Sequence, residues 1–116
     1  MMKDFKVEFC LADSEFMTAV RLAVGAVCSA ANLDVDSAED MKVCVTESCL
    51  ILKGCGFECA QIILNANGGF VAQIQGLGGE AKPCDNEFSL ALVSALLSSV
   101  EIEKQGEAIY KLTLAL

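Results

Sequence analysis

The cysteines are the residues whose type suggests chemistry most directly. The chain has seven, and four of them lie close together in sequence: Cys44, Cys49, Cys55 and Cys59. Such a cluster favours a metal site or a redox site. Against a metal site, the chain contains no histidine, and these spacings match no common zinc pattern. Cys44 and Cys49 also fall on the predicted buried side of a helix, where cysteine behaves as a small hydrophobic residue. A structural or redox-sensing domain is therefore one interpretation of the chain.

The helix that carries these cysteines lies within residues 40–57 (DMKVCVTESCLILKGCGF). Small and apolar residues recur there at i, i+3, i+4, i+7, i+8 and i+11, which predicts one buried face. That face consists of Met41, Cys44, Val45, Ser48, Cys49 and Leu52. Glu47 lies off this face, and Ile51, four residues later, lies on the same side as Glu47. Gly54 and Gly56 end the helix.

The N-terminal part of the chain predicts a strand and a first helix. Apolar residues alternate from Phe5 to Leu11, which is typical of a strand with one buried face. The helix that follows has a predicted buried face made of Phe16, Ala19, Val20, Ala23, Val24 and Val27. Its other side carries Met17, Arg21 and Cys28. Asp36 and Glu39 have the spacing of a capping box that opens the helix containing Glu47.

The C-terminal part predicts a hairpin, a loop, a third helix and a second hairpin. The first hairpin joins residues 58–66 to residues 70–75 through Asn67-Gly68-Gly69, a strong turn signal. A loop over residues 76–86 leads to a helix whose predicted core residues are Phe88, Leu92, Ala95, Leu96 and Ser99. The last strands are residues 100–104 and 108–114. The order β-α-α-β-β-α-β-β predicts one α+β domain over residues 1–116. Its expected form is a two-layer sandwich, with a mostly antiparallel sheet and helices on one face.

Composition limits the classes of function. The net charge is −8 and the sequence pI is about 4.3, which argues against direct nucleic-acid binding, because phosphate contacts need a basic surface. The longest strongly apolar run, residues 88–97, is too short for a membrane span. The N-terminus has no secretory signal pattern, so we expect a cytoplasmic protein with reduced thiols. The high apolar content indicates a surface covered by a partner protein or a second copy.

Residues 40–57 resemble the second helix of the anti-sigma-factor serine kinases, a branch of the GHKL (histidine-kinase-like) ATPase superfamily. The resemblance rests on Asp40, Met41, Lys42, Val43, Val45, Thr46, Glu47, Ser48, Leu52, Gly56 and Phe57. The element order is also that of the GHKL kinase domain, so the similarity covers essentially the whole chain. It implies a GHKL (Bergerat-like) fold, with the loop before the third helix in the place of the ATP lid.

The resemblance also implies roles for single positions. Active members carry Glu as general base and, four residues later, Asn as an oxygen ligand of Mg²⁺. Glu47 matches the base, whereas Ile51 replaces the asparagine and offers no oxygen. The adenine-reading Asp is replaced by Gln75 or Gly76, followed by Gly78 and Gly79 of the glycine-rich segment.

Two further positions concern phosphate and partner binding. The phosphate-cradling glycine box before the third helix is replaced by a segment that includes Glu87 and Ser89, and Glu87 adds negative charge where a triphosphate would lie. An arginine at the place of Arg21 contacts protein partners in the family.

These replacements predict a regulatory protein-binding module with Mg-ATP binding lost and no cofactor. The resemblance implies a sigma factor or a small STAS anti-anti-sigma protein as partner, and homodimerisation. The alternative is an active serine kinase that binds ATP and Mg²⁺ and phosphorylates a STAS partner, with Glu47 as its base.

Overall fold

The computed structural model describes residues 4–116; residues 1–3 of the predicted domain lie outside the described residues. The elements in chain order are β1 (Phe5–Cys10), α1 (Glu15–Ala30), α2 (Val35–Gly54), β2 (Cys59–Asn65), β3 (Val71–Leu77), α3 (Glu87–Leu96), β4 (Ser99–Gln105) and β5 (Ala108–Ala115). This is the predicted order. Within residues 4–116, no helix combines the length and the apolar content needed to cross a membrane.

The five strands form one sheet in the order β1-β2-β3-β5-β4, and every neighbouring pair is antiparallel. In β2 and β3, buried residues alternate with partly exposed ones, so one face of the sheet is sealed and the other is partly open. The helices cover the sealed face. The prediction of an α+β two-layer sandwich is confirmed.

The long helix α2 lies at the centre of the helical layer and contacts α1, α3 and three strands. Every residue of its predicted buried face is 0% exposed. Its N-terminus differs from the prediction, because Asp34, not Asp36, is the N-cap. The Asp34 carboxylate accepts a hydrogen bond from the Ser37 amide at 2.7 Å, which satisfies one of the free donors of the first turn.

The buried face of α1 is rotated relative to the prediction. Phe16 is 42% exposed, whereas Cys28, which was expected on the outer side, is 0% exposed. The buried residues of α1 are Val20, Val24, Val27 and Cys28. The helix packs against α2 more than against the sheet, and apolar residues occur on most of its sides. The buried face of α1 is therefore the one that packs on α2, and the periodicity of the sequence does not encode this direction of packing.

The predicted core of α3 is also wrong in part. Only Val93 of this helix is fully buried, and Phe88 is 80% exposed. Ser99, expected on the helix, belongs to β4. α3 is short and packs mainly on α2, so only a small part of its surface, at Val93, is fully buried.

The strands β1 and β4 form the two edges of the sheet. β4 is exposed along nearly its whole length. Its register with β5 shifts between Glu103 and Lys104, which is the mark of a β-bulge. The edges therefore differ, since β1 is more buried and carries no such irregularity.

Candidate functional site

A cleft between the outer surfaces of α1 and α2 holds two of the predicted functional residues. The cleft has a volume of about 300 Å³ and is lined by Arg21, Glu39, Lys42, Val43, Thr46 and Glu47. The end of the Lys42 side chain lies over Gly25 of α1. A Cβ at Gly25 would lie 2.8 Å from Lys42 Cε. Arg21 and Glu47, 26 positions apart in the sequence, are brought to one surface.

Within residues 4–116, the guanidinium of Arg21 forms no ion pair, unlike Lys42, the other cation of this cleft. The ion pairs formed within residues 4–116 join Glu39 to Lys42, at 2.8 Å, and Glu103 to Lys111, at 3.8 Å. Arg21 also borders an adjoining cleft of about 400 Å³, where Leu22 and Val35 are 71% and 75% exposed. An exposed arginine beside exposed apolar side chains is a frequent composition at protein-binding surfaces. We call these two clefts and their rim the α1–α2 surface.

Glu47 connects this surface to the start of α3. Its carboxylate accepts a hydrogen bond from the Ser89 hydroxyl, with 2.9 Å between Oε2 and Oγ. Ser89 lies in the first turn of α3, so the contact joins the middle of α2 to the beginning of α3. The structure therefore brings together Arg21, Glu47 and Ser89, three of the residues that the sequence singled out.

Ile51 does not share the surface of Glu47. The sequence placed it on the same side of α2, but it is 3% exposed and belongs to the core. α3 packs on α2, where Ser89 contacts Glu47. The sulfur of Cys84 lies 3.8 Å from the Ile51 carbonyl oxygen. An apolar side chain in this position offers no oxygen to a metal ion.

Gln75 and Gly76 lie on opposite faces of the sheet. β3 continues to Leu77, two residues beyond the predicted end, so Gly76 is in the strand and not in the loop. Gly76 is buried on the helix-facing side, where the Phe57 ring covers it and a Cβ would lie 2.4 Å from the ring. Gln75 lies opposite Gln61 and Lys111 in the register of the sheet. Its side chain is on the open face and is separated from Glu47 by the sheet.

Gly78 and Gly79 fold the following loop back onto the end of α2. Both have φ of +71°, which glycine adopts readily. A Cβ at Gly79 would lie 2.2 Å from the Gly56 carbonyl oxygen, so only glycine permits this approach. The Lys82 amide donates to the Cys55 carbonyl at 2.8 Å and holds the loop there. Gly78 and Gly79 therefore pack the loop tightly against the end of α2 and do not form an open cradle for a phosphate group.

The start of α3 is acidic. Glu87 is exposed in its first turn, and its amide donates to the Asp85 carboxylate at 3.4 Å. By the resemblance, Ile51 and these carboxylates take positions at which active anti-sigma kinases bind Mg²⁺ and phosphate. They offer apolar surface and negative charge there, which opposes bound Mg-ATP. The residues at these positions do not fit Mg-ATP.

The cysteines that are close in sequence are separate in space. Cys44 and Cys49 lie in the core, where burial raises the pKa of their thiols to about 11 and about 12. Cys59 faces Cys10 across the β1–β2 register. Cys55 instead contacts Cys84, with 2.7 Å between the two Sγ atoms. Sequence reasoning missed this pair because its members are 29 positions apart and Cys84 stands alone in a loop.

A scan against models of known protein families gives no match, and a search of curated proteins finds no sequence of significant similarity.

Proposed function

We propose that this protein is a regulatory protein-binding module of the anti-sigma-factor type, which acts in the cytoplasm without Mg-ATP. The observation that carries the proposal is the α1–α2 surface, where Arg21, which forms no ion pair among residues 4–116, lies beside the exposed Leu22 and Val35. The resemblance of the sequence names the partner as a sigma factor or a STAS-domain regulator.

The chemistry of Arg21 indicates what the partner presents. A guanidinium forms two parallel hydrogen bonds with a carboxylate and also stacks on planar side chains. Lys42, the other cation of the cleft, is already held by Glu39. We therefore expect Arg21 to bind an Asp or Glu side chain of the partner, with apolar residues around that carboxylate covering Leu22 and Val35.

Affinity capture from a lysate of the source organism tests this proposal. The matched pair of baits is Arg21→Glu and Lys104→Glu, which make the same change of charge at exposed positions on the α1–α2 surface and on β4. We expect the wild type and Lys104→Glu to enrich a sigma factor or a STAS-domain protein, and Arg21→Glu to lose it. Equal enrichment by all three baits would contradict the role of Arg21. Absence of both classes of partner would contradict the proposed function.

The alternative, an active kinase, is tested by thermal unfolding with millimolar Mg-ATP. A ligand at a hundred times its dissociation constant stabilises the folded state by about 2.7 kcal/mol, a shift of several degrees for a domain of this size. We expect no shift, because Ile51 is buried in the core and offers no oxygen to Mg²⁺, and Glu87 adds negative charge at the start of α3. A shift that requires Mg²⁺ would favour the kinase.

The proposal includes self-association through the edge strand β1. The Leu11 amide donates to the Glu58 carbonyl. By alternation, the backbone groups of Lys6 and Glu8 point away from β2. If two copies of β1 pair antiparallel about Val7, Lys6 of each copy lies opposite Glu8 of the other. The sequence of the strand is therefore complementary to itself in charge, and cross-strand charge pairs favour such pairing.

Sedimentation velocity over a range of protein concentrations tests this interface. Lys6→Glu places like charges opposite each other, and we expect it to raise the dimer dissociation constant about tenfold or more. The double variant Lys6→Glu, Glu8→Lys restores opposite charges and should restore the dimer. Equal dissociation constants for the wild type and Lys6→Glu would contradict this register.

A further inference from the structure

Cys55 and Cys84 form a pair of thiols at the junction of α2 and the loop over residues 78–86. Cys55 is the C-cap of α2 and is 0% exposed, whereas Cys84 is half-buried in the loop. Their Sγ atoms are 2.7 Å apart. An S–S bond is about 2.05 Å long, so bond formation requires the sulfur atoms to approach by less than about 1 Å.

Backbone contacts on both sides keep the two thiols together. The Lys82 amide donates to the Cys55 carbonyl at 2.8 Å, two residues before Cys84. Gly54 lies directly beneath Cys84, since a Cβ at Gly54 would be 3.5 Å from Cys84 Sγ. The carbonyl of Ile51 is 3.8 Å from the same sulfur. The fold therefore places Cys84 against the last turn of α2 before any bond joins the two sulfur atoms.

The other five cysteines provide an internal comparison. Cys28, Cys44 and Cys49 are sealed in the core and are inaccessible to a reagent while the protein is folded. Cys10 and Cys59 lie opposite each other on β1 and β2 and are half-buried. Both thiols of that pair are more accessible than Cys55, but a bond between them would join two strands that are already hydrogen-bonded along their length.

We propose that Cys55 and Cys84 form a reversible intramolecular disulfide by exchange with a small-molecule disulfide such as glutathione disulfide. The more accessible Cys84 loses its proton, and its thiolate attacks one sulfur of glutathione disulfide, which releases one glutathione thiolate. Cys55 then loses its proton and attacks the Cys84 sulfur of the mixed disulfide, which releases the second glutathione. The protein gives up two electrons and two protons, and glutathione disulfide becomes two glutathione molecules.

The bond would fix the loop to α2 and thereby hold the start of α3. Cys84 precedes Glu87, the first residue of α3, by three positions, and Ser89 in that turn donates to Glu47. Oxidation therefore stabilises the arrangement in which Glu47 is bound by Ser89, and reduction leaves the loop held by hydrogen bonds alone. This inference does not depend on the proposed function.

The thiol of Cys84 sets the speed of the exchange. Burial, together with the contact to Cys55, raises the pKa of Cys84 to about 11, and the thiolate is the attacking form. Since the pKa lies well above neutral pH, the thiolate fraction rises about tenfold for each unit of pH between 7 and 9. The rate of disulfide formation should rise with it.

The test incubates the reduced, full-length protein in glutathione buffers of defined ratio and blocks free thiols with N-ethylmaleimide. Digestion after Glu, Lys and Arg releases residues 54–58 with Cys55 and residues 81–87 with Cys84, because the Lys82–Pro83 bond resists cleavage. We expect mass spectrometry to detect these two peptides joined. The linkage should be lost in Cys84→Ser and kept in the control Cys59→Ser.

Thermal unfolding provides the second readout. Closing a loop of about 30 residues should raise the Tm of the oxidised protein over that of the reduced protein on the order of 10 °C, and Cys84→Ser should show no such redox-dependent shift. Oxidation that yields only a Cys10–Cys59 linkage or glutathione adducts would overturn the proposal. A Cys55–Cys84 linkage without a rise in Tm would overturn the claim that it locks the loop.

Discussion

Replacing Ile51 by asparagine introduces the residue that the resemblance to the anti-sigma kinases places at this position, and it tests whether the position is sealed from water. Ile51 is 3% exposed within the core. Truncating such a side chain costs about 2–5 kcal/mol, and an amide left there without partners adds about 1–3 kcal/mol. Asparagine fills part of the space, so we expect a total loss of about 4 kcal/mol. That is a large share of the ~5–15 kcal/mol by which domains are stable.

The control is Ile51→Val, which removes one methyl group without adding a polar atom. Its expected cost is about 1 kcal/mol, so the difference between the two variants isolates the polar group. The chain has no tryptophan and a single tyrosine, which makes far-UV circular dichroism the suitable probe. Urea unfolding of the three proteins, with linear extrapolation to water, gives the free energies of unfolding.

Two results would refute this reasoning. If Ile51→Asn cost no more than Ile51→Val, the side chain would reach water or a polar partner, and the site would be open. If Ile51→Asn gained several degrees of Tm with Mg-ATP, the remaining residues would suffice for a nucleotide. The proposed loss of Mg-ATP binding would then depend on the substitution at Ile51 alone and not also on the acidic start of α3.

Further predictions concern the glycine loop and the buried thiols. Gly79→Ala should cost about 2–4 kcal/mol in urea unfolding, because its Cβ would collide with the backbone of Gly56. Gly68→Ala, which has a similar φ of +77° and nothing within 4 Å, should cost only about 1 kcal/mol; equal costs would show that the loop yields freely. The raised pKa values of Cys44 and Cys49, about 11 and about 12 against an ordinary 9.0, predict that stability is independent of thiol ionisation below about pH 8. Stability should fall as the pH rises from about 9 towards 12, because the thiols ionise first in the unfolded chain. Cys49→Ala should fall less steeply over the same range when followed by circular dichroism, and an unchanged slope would contradict the assignment.

Local patterns predicted the elements well because each depends on neighbours in the sequence. The buried face of α2 follows from its spacing alone, and all six residues are sealed. The turn at Asn67-Gly68-Gly69 also forms between β2 and β3, since positive φ is a property of single residues. The alternation of Ala72 and Ile74 with Gln73, carried two residues further, would have placed Gln75 on the open face.

The features that the sequence did not predict depend on contacts between distant segments. Ile51 is buried on a helix that packs against α3 and is approached by Cys84 of the loop before α3, and no pattern within α2 encodes where these segments lie. Cys84 was not assigned to a site because its partner is brought near only by the return of the loop over residues 78–86. Arg21 and Glu47 were each identified, but their meeting in one cleft follows from the packing of α1 on α2, which neither helix encodes alone.

The two edges of the sheet have consequences for how many copies assemble. If two copies of β4 paired antiparallel about Ile102, Glu101 of each would lie opposite Glu103 of the other, so like charges would repel. The bulge after Glu103 further twists this edge away from a flat template. If β1 pairs with its own copy as proposed, the two edges differ in what they accept, because β4 opposes the equivalent pairing. Growth by strand addition would then stop at two chains, which would protect an apolar, cysteine-rich protein from forming open-ended fibres.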